Sequence, residues 1–249
     1  MPAATMQPFD PKPEASLSSN DAHVLSALFD PEASLSRDGV DISASQNSLP
    51  GISETELPGL QTIESAAIRP LNTPSPSRET VEKAVEALGD LIATHPSYAS
   101  AYTNRAQAIR LLLGDDLFSS ANNTLLGLLL SDLSHAITLT SPASPQDSLS
   151  RLQAHVLATA HTHRGYILLK AAKGARDGTL EGGPEELRRA SSDELEEMAS
   201  RDFFQGGRYG DKTAQQIAVR LNPYAKMCGA IVKEAMRKEM DEYRSGLEL

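Results

Sequence analysis

The pattern of apolar and polar residues predicts an all-helical chain. From residue 55 onward, apolar side chains recur every three or four positions, the period of one face of an α-helix, and no segment shows the alternation of a β-strand. The predicted helices are 55–68, 78–94, 98–113, 124–140, 148–173, 190–206, 211–220 and 223–244. Proline and glycine separate them at short breaks, so we expect consecutive helices to form hairpins.

The first 54 residues have a different pattern, rich in proline and serine. Residues 1–19 cannot bury enough apolar surface to offset the entropy of an ordered chain, and we expect disorder there. Residues 20–54 predict a short amphipathic leader helix followed by a polar linker, and residues 55–249 predict the repeat domain. The apolar face of the leader consists of Val24, Leu25, Leu28 and Phe29.

The helical hairpins carry a repeated set of small and large residues. In tetratricopeptide-type repeats, small residues let the two helices of a hairpin approach closely, and large ones fill the groove of the next hairpin. This pattern predicts about three such hairpins, with insertions at 115–124 and 173–194. The matching residues are Ala84, Leu88, Leu91 and Pro96; then Tyr102, Ala106, Ile109, Leu129, Leu133 and Ala136; then Gly165, Leu168, Ala199, Phe203 and Gly206.

The dipeptide Asn222-Pro223 predicts the start of a C-terminal capping helix, since Asn is a favoured helix cap and Pro a favoured first residue. A terminal repeat needs such a cover for its apolar face. We expect Cys228 to be a core residue of this helix, and the last repeat to be covered by Tyr224, Met227, Ile231 and Met236.

Composition and charge narrow the functions that this chain can have. The formal net charge of −10 repels nucleic acid and anionic lipid, so we expect neither as a partner. The single cysteine suits a reducing compartment, and no signal peptide or membrane-spanning run is recognisable. These features predict a cytoplasmic protein, or one that is cytoplasmic and nuclear.

The sequence contains no recognisable catalytic or metal-binding pattern. It has no phosphate-binding glycine loop and no nucleophile motif. His161 and His163 are two positions apart and face different directions on a helix, which does not suit metal ligands. We therefore expect no cofactor, no metal and no enzymatic activity.

Several segments resemble one family in particular. Residues 20–31 (NDAHVLSALFDP) are similar to the leader of the tetratricopeptide repeat protein 36 family, and residues 101–108 (AYTNRAQA) to its second repeat. Residues 201–203 (RDF) and 221–228 (LNPYAKMC) resemble its third repeat and its closing motif. The resemblance implies a non-enzymatic adaptor or co-chaperone. It also implies an association with chaperones of the seventy-kilodalton heat-shock class and with maintenance of an enzyme of tyrosine breakdown.

The first helices of stacked hairpins line a groove that usually holds a partner segment. Asn104 resembles the asparagine of chaperone-binding repeats that hold a terminal carboxylate, and it also fits a solvated polar surface position. Thr159 and His163 occupy the slots where such a clamp needs Lys and Arg, so we do not expect a high-affinity carboxylate clamp. The predicted groove residues are Thr103, Asn104, Gln107, Arg110, His163, Tyr166 and Lys170.

Two other functions fit the same sequence. The chain could be a structural subunit whose groove is filled by its own residues 20–54, because the apolar leader must be buried somewhere. Alternatively it could be a small helical enzyme that uses His161, His163, Tyr166 or Cys228.

Overall fold

The structure, a computed structural model, describes residues 40–43, 47–144, 147–222, 231, 234–238 and 240. These residues are mostly helical, which confirms the predicted all-α fold. The helices are α1 (Leu57–Ile68), α2 (Arg78–Thr94), α3 (Ala99–Leu113), α4 (Asn123–Thr140), α5 (Arg151–Asp177), α6 (Glu185–Arg189), α7 (Ser192–Arg208) and α8 (Lys212–Leu221). Short 3-10 turns lie at Arg69–Leu71 and Ser120–Asn122, and β1 (Ile42–Ser43) pairs in parallel with β2 (Leu149–Ser150).

Side-chain caps fix where four of the helices begin. The residues that precede α2, α5, α7 and α8 are, in that order, Ser77, Ser150, Ser191 and Asp211. Each of these side chains accepts a hydrogen bond from the backbone N–H three residues later. Such a cap satisfies one of the N–H groups that a helix start leaves unpaired. The N-terminal bounds of these helices therefore follow from local sequence.

Helix α5 is longer than the sequence predicts. We expected it to end at residue 173, before Gly174, but it continues to Asp177 and is terminated by Gly178 at φ +71°. Gly178 is the residue that adopts the left-handed conformation of a helix C-cap, whereas Gly174 keeps helical geometry and packs close to Leu180. A glycine alone does not mark which position ends the helix.

Successive helices pack as the repeat pattern predicts. Contacts join α1 to α2, α2 to α3, α3 to α4, α4 to α5, α5 to α7 and α7 to α8, and α3 also touches α5. Ala106, Leu133, Ala136 and Ala199 are fully buried. At Gly165 a Cβ atom would lie 3.3 Å from the Phe203 ring, so the absence of a side chain is what allows α5 and α7 to approach closely.

The two insertions into the repeat pattern are packed against each other. The N–H of Gly182 donates to the carbonyl of Phe118, and the N–H of Gly183 donates to Asn123 Oδ1 at 2.6 Å. Leu117 in the first insertion and Leu187 in the second are buried. The insertions therefore add packed structure beside α4 and α7.

The part of the predicted linker that the structure describes contributes to the core. Leu49 is 3% exposed and shares a core cluster with Leu57 and Leu60 of α1. The Ser150 hydroxyl donates to the carbonyl of Ser48, next to the β1–β2 pairing. The apolar residues of this polar segment are scattered without helical or strand periodicity, so the sequence pattern did not indicate that Leu49 is buried.

Helix α8 covers α7 at the C-terminal side, with Ala214 and Ala218 buried. The expectation that Ile231 and Met236 cover the last repeat is wrong, because both side chains are 61% exposed. The structure does not describe the other residues predicted for the capping helix, Tyr224, Met227 and Cys228. The predicted leader face, Val24 to Phe29, also lies outside the described residues.

Candidate partner-binding face

Asn104, the most informative of the predicted groove residues, bonds within the chain. Its Nδ2 donates to Oε1 of Glu64 on α1 at 2.7 Å, and the Tyr98 hydroxyl donates to Oε2 of the same carboxylate at 2.7 Å. Glu64 is only 7% exposed, and a buried carboxylate needs such partners. Burial, with the nearby Glu64 charge adding to it, raises the pKa of Tyr98, so the phenol stays protonated and can donate. Asn104 therefore holds a carboxylate of its own chain.

Thr103 and Arg110 also form hydrogen bonds within their own chain, in α3 and at its C-terminal cap. The buried Thr103 hydroxyl donates to the Ser100 carbonyl at 2.7 Å. Arg110 Nη1 donates to the Gly114 carbonyl at 2.6 Å, next to the C-terminus of the helix, where carbonyls lack helical partners. Both residues stabilise the local structure of α3 in addition to any binding role.

His163 lies on α5 and is half-buried. Its Nδ1 atom is buried and has no hydrogen-bond partner in the described part of the chain. Burial, with a smaller effect from the Arg110 charge, lowers the pKa of His163 to about 4. The imidazole is therefore neutral at pH 7 and cannot provide the positive charge that a carboxylate clamp needs at this slot.

Gln107, Tyr166 and Lys170 are the predicted groove residues that remain accessible. Gln107 is exposed on α3, and the Tyr166 side chain is 40% exposed on α5. Lys170 Nζ lies 5.4 Å from the centre of the Tyr166 ring, a cation–π distance. These two side chains border a cleft of about 310 Å³ whose lining residues are Tyr166, Leu169, Lys170, Ala172, Lys173, Arg176 and Glu196.

Buried ion pairs, which the sequence analysis missed, connect the two helices of two hairpins. Arg105 Nε and Nη2 donate to the Asp132 carboxylate at 2.8 and 2.6 Å, joining α3 to α4. Arg164 Nε and Nη2 donate to the Asp202 carboxylate at 2.8 and 2.8 Å, joining α5 to α7. His161 Nδ1 lies 2.8 Å from Asp202 Oδ1 and completes the second cluster.

Burial by itself raises the pKa of Asp202, but the hydrogen bonds and charges of Arg164 and His161 outweigh it, so the net pKa is lowered. For Arg105, the hydrogen bond to Asp132 raises the pKa of the guanidinium. Asp202 and Arg105 are therefore charged at neutral pH.

A signal for these pairs is present in the sequence. Each arginine directly precedes the small residue of the first helix, Ala106 or Gly165, and each aspartate directly precedes the large residue of the second helix, Leu133 or Phe203. The same two slots are therefore charged in both hairpins. Aligning the second and third repeats for charge as well as for size would have revealed them.

Two of the side chains considered for a small enzyme, His161 and His163, have different neighbours, and Cys228 lies outside the described residues. His161 bonds to Asp202 on α7 and stacks on Tyr209 at 5.9 Å between ring centres, whereas His163 lies beside Arg110 of α3. Within the described ranges, no group of three or more His, Cys, Asp or Glu side chains is placed to hold a metal ion. Among the same residues, no helix has the length and hydropathy needed to cross a membrane.

The fold and these contacts define a class: an all-α helical-repeat protein of the tetratricopeptide type, with two packed insertions. The chain is 49% identical over 253 residues to the L-tyrosine degradation gene cluster protein hmgX of Aspergillus fumigatus, covering 95% of this chain and 97% of the relative. It is 27% identical to tetratricopeptide repeat protein 36 of Xenopus tropicalis, over 88% of this chain and 87% of the relative. The Bos taurus protein of the same name is 28% identical, over 90% and 97%.

The chain therefore belongs to the tetratricopeptide repeat protein 36-like family that includes hmgX, which confirms the resemblance seen in the sequence. No family model matches the chain, and no solved structure matches it.

Proposed function

We propose that this chain is a non-enzymatic adaptor that binds a partner protein and serves L-tyrosine degradation. The observation that carries the proposal is the near-full-length similarity, at 49% identity, to a protein named for an L-tyrosine degradation gene cluster. The helical-repeat fold supports a binding role, because stacked helical hairpins present extended surfaces to other proteins. The relatives are named as a cluster protein and as repeat proteins, which supports a role without catalysis.

The surface that we assign to the partner consists of the accessible residues Tyr166 and Lys170 of α5 and Gln107 of α3. Tyr166 offers a large, rigid side chain with an exposed ring, and Lys170 lies over that ring. Aromatic residues of this kind often contribute most of the binding free energy at protein interfaces. Gln107 on α3 adds an exposed amide that can bond to a peptide backbone.

The residues of this face do not suit a partner that is held only by its terminal carboxylate. Asn104 already donates to Glu64, and His163 is neutral. A segment bound here would instead contact Tyr166 and Lys170 through side chains and backbone. The family resemblance implies that the partner is a chaperone of the seventy-kilodalton heat-shock class or an enzyme of tyrosine breakdown, met in the cytoplasm, or in cytoplasm and nucleus.

A quantitative affinity purification tests the binding surface. The tagged full-length chain is expressed in its own organism after deletion of the native gene, as wild type, as a Tyr166→Ala, Lys170→Ala variant, and as a Phe204→Ala control. Phe204 is a matched control because it is 43% exposed and lies on α7. We expect an enzyme of tyrosine breakdown or a chaperone to be retained by wild type and control, and reduced about tenfold in the double variant. Equal retention by all three would place the partner elsewhere on the chain.

Tyrosine consumption by the same strains tests the metabolic part separately. We expect deletion to slow tyrosine consumption, and the wild type and the Phe204→Ala control to restore it. Normal consumption in the deletion strain would contradict the link to tyrosine degradation, whatever the chain binds.

A further inference from the structure

The two insertions create a cleft that the repeat pattern alone would not produce. Gly182, in the second insertion, lies so close to the first insertion that a Cβ atom there would collide with the Ser119 carbonyl oxygen. Gly183 has φ +109°, a conformation that favours glycine, and bonds to Asn123 at the start of α4. This arrangement fixes the helix α6 beside α7, with Leu187 buried between them and the rest of the core.

The α6–α7 cleft, as we call it, has a volume of about 480 Å³ and opens between α4, α5, α6 and α7. Its walls are mainly apolar, and Arg164, Asp202 and Ser134, which are hydrogen-bonded to one another, also line it. Binding sites typically have volumes of about 300–1,000 Å³, apolar walls and a few polar groups that converge. The apolar lining residues are Leu130, Leu168, Pro184, Leu187, Leu195 and Met198.

The cleft continues outward along α6 and α7. A second depression of about 480 Å³ shares Glu186, Met198 and Arg201 with it. Met198 lines both parts and is 44% exposed, although methionine is a large apolar residue whose exposure costs free energy. An elongated site with a flexible apolar side chain at its centre fits a segment of polypeptide better than a compact small molecule.

Charge along the outer part defines the chemistry of that segment. Arg189 pairs with Glu185 and Arg201 pairs with Glu197, so each cation is already neutralised by its own helix. Glu186 and Glu194 then leave the rim with an excess of negative charge. The net charge of the whole chain, −10, has the same sign and attracts basic segments at long range.

Arg164, Asp202 and Ser134 line the inner end of the cleft, meaning the part that is not shared with the outer depression, and this end can recognise a neutral acceptor. Two of the Arg164 nitrogens are bonded to Asp202, and the third, Nη1, has a longer contact of 3.3 Å with Ser134 Oγ. Because the Arg164–Asp202 pair is neutral overall, a main-chain carbonyl suits this end better than a carboxylate.

We propose that the α6–α7 cleft is a second docking site, separate from the face of Tyr166 and Lys170, and that it binds a partner segment with one large apolar side chain next to lysine or arginine. The apolar side chain fills the inner part beside Met198, and the basic residues lie along Glu186 and Glu194. This site does not depend on the function proposed above, because it shares no lining residue with the cleft beside Tyr166 and Lys170.

Peptide selection followed by affinity measurement tests this site. A phage-displayed library of random dodecapeptides is selected on the full-length chain after depletion on a Met198→Glu variant. We expect the selected peptides to share a Leu, Phe or Met residue beside Lys or Arg. Their affinity, measured by fluorescence polarisation, should fall at least about tenfold in Met198→Glu, the fold-change of a central interface residue.

Two further variants make the result specific. Phe204→Glu is the matched control, since Phe204 lies on the same helix with 43% exposure and is not among the lining residues, and its affinity should equal that of wild type. Glu186→Arg, an exposed change, should weaken the basic peptides and reduce the salt dependence of their binding. Far-ultraviolet circular dichroism checks that all variants are folded. The proposal is overturned if selection yields no peptide, if the peptides are acidic, or if Phe204→Glu weakens binding as much as Met198→Glu.

Discussion

The clearest test of the buried ion pairs is the substitution Asp202→Asn. Asp202 is 5% exposed and accepts two hydrogen bonds from Arg164 and one contact from His161, all at 2.8 Å. Asparagine keeps the size of the side chain but removes the charge and replaces one acceptor oxygen with an N–H donor. Arg164 would then face a donor in place of an acceptor, inside a largely buried site.

The size of the effect can be worked out from these contacts. Removing one partner of a buried ion pair typically costs about 3–5 kcal/mol, because the other charge remains without compensation. The Arg164 side chain is 27% exposed and can regain some water, so we expect the low end of this range, about 3 kcal/mol. For a chain of this size that loss corresponds to a fall in Tm of roughly 6–12 °C.

Thermal unfolding followed by circular dichroism at the helix band is the appropriate assay, because the chain has no Trp for fluorescence. Asp193→Asn is the matched control: the same chemical change on the same helix, at an exposed position, with an expected effect within about 0.5 kcal/mol. If Asp202→Asn lowers Tm no more than the control does, the Asp202 carboxylate does not hold α5 to α7.

The stability of the wild type should also fall at acid pH in a defined way. Since the folded-state pKa of Asp202 is lowered, its contribution is complete above its unfolded-state pKa of about 4 and is lost as pH falls through the folded-state value. The Asp202→Asn variant should therefore lose less stability than wild type between neutral pH and strong acid, measured as the change in Tm with pH. Parallel pH profiles would contradict this assignment.

The other predictions concern substitutions of single residues. Glu64→Gln should destabilise by about 1–3 kcal/mol, because Asn104 would meet an amide in a buried site, and urea unfolding measures the loss. The pKa of His163 is lowered to about 4 in the folded state and is about 6.5 in the unfolded state. Between these two pH values only the unfolded state binds a proton at His163, so stability falls as the pH falls. His163→Gln should therefore be less sensitive than wild type to acid between these two values, in unfolding experiments across that range. Gly182→Ala should destabilise by about 1–3 kcal/mol through overpacking, whereas Gly127→Ala, on helix α4 with open space at its Cβ, should stabilise by about 0.5–1 kcal/mol.

The sequence predicted the helices because their signals are local. A cap such as Ser191 with Glu194 three residues on, or the three-and-four spacing of apolar residues, is complete within one helix. The size pattern of Gly165 and Phe203 then predicted which helices form a hairpin. The burial of Leu49 was missed because it depends on a long-range contact. The segment that contains Leu49 is held against the core by Ser150, which is more than a hundred residues away in the sequence.

The candidate site was harder to predict because the role of a polar residue depends on its neighbours in space. Asn104 has the sequence context of a ligand-binding asparagine, yet Glu64, forty residues earlier, occupies its amide. The charge of His163 also could not be read from the sequence, since burial and Arg110 determine its pKa. Tyr166 and Lys170 were predicted only as groove residues, from their repeat slots, although their four-residue spacing on one helix also allows the contact seen in the structure.

The recurrence of the arginine–aspartate pair in two hairpins has a physical reason in helix register. Apolar ridges and grooves repeat along a helix, so two helices could also pack after a slip of one turn, with similar burial of leucine and alanine. After such a slip, Arg105 would no longer meet Asp132, and Arg164 would no longer meet Asp202, leaving charges unpaired inside the core. Each pair therefore adds a penalty to the wrong register that the apolar residues alone do not supply. The insertions lengthen the connections inside the same two hairpins, where a short loop cannot set the register, and there the pairs supply the constraint that a tight turn would otherwise provide.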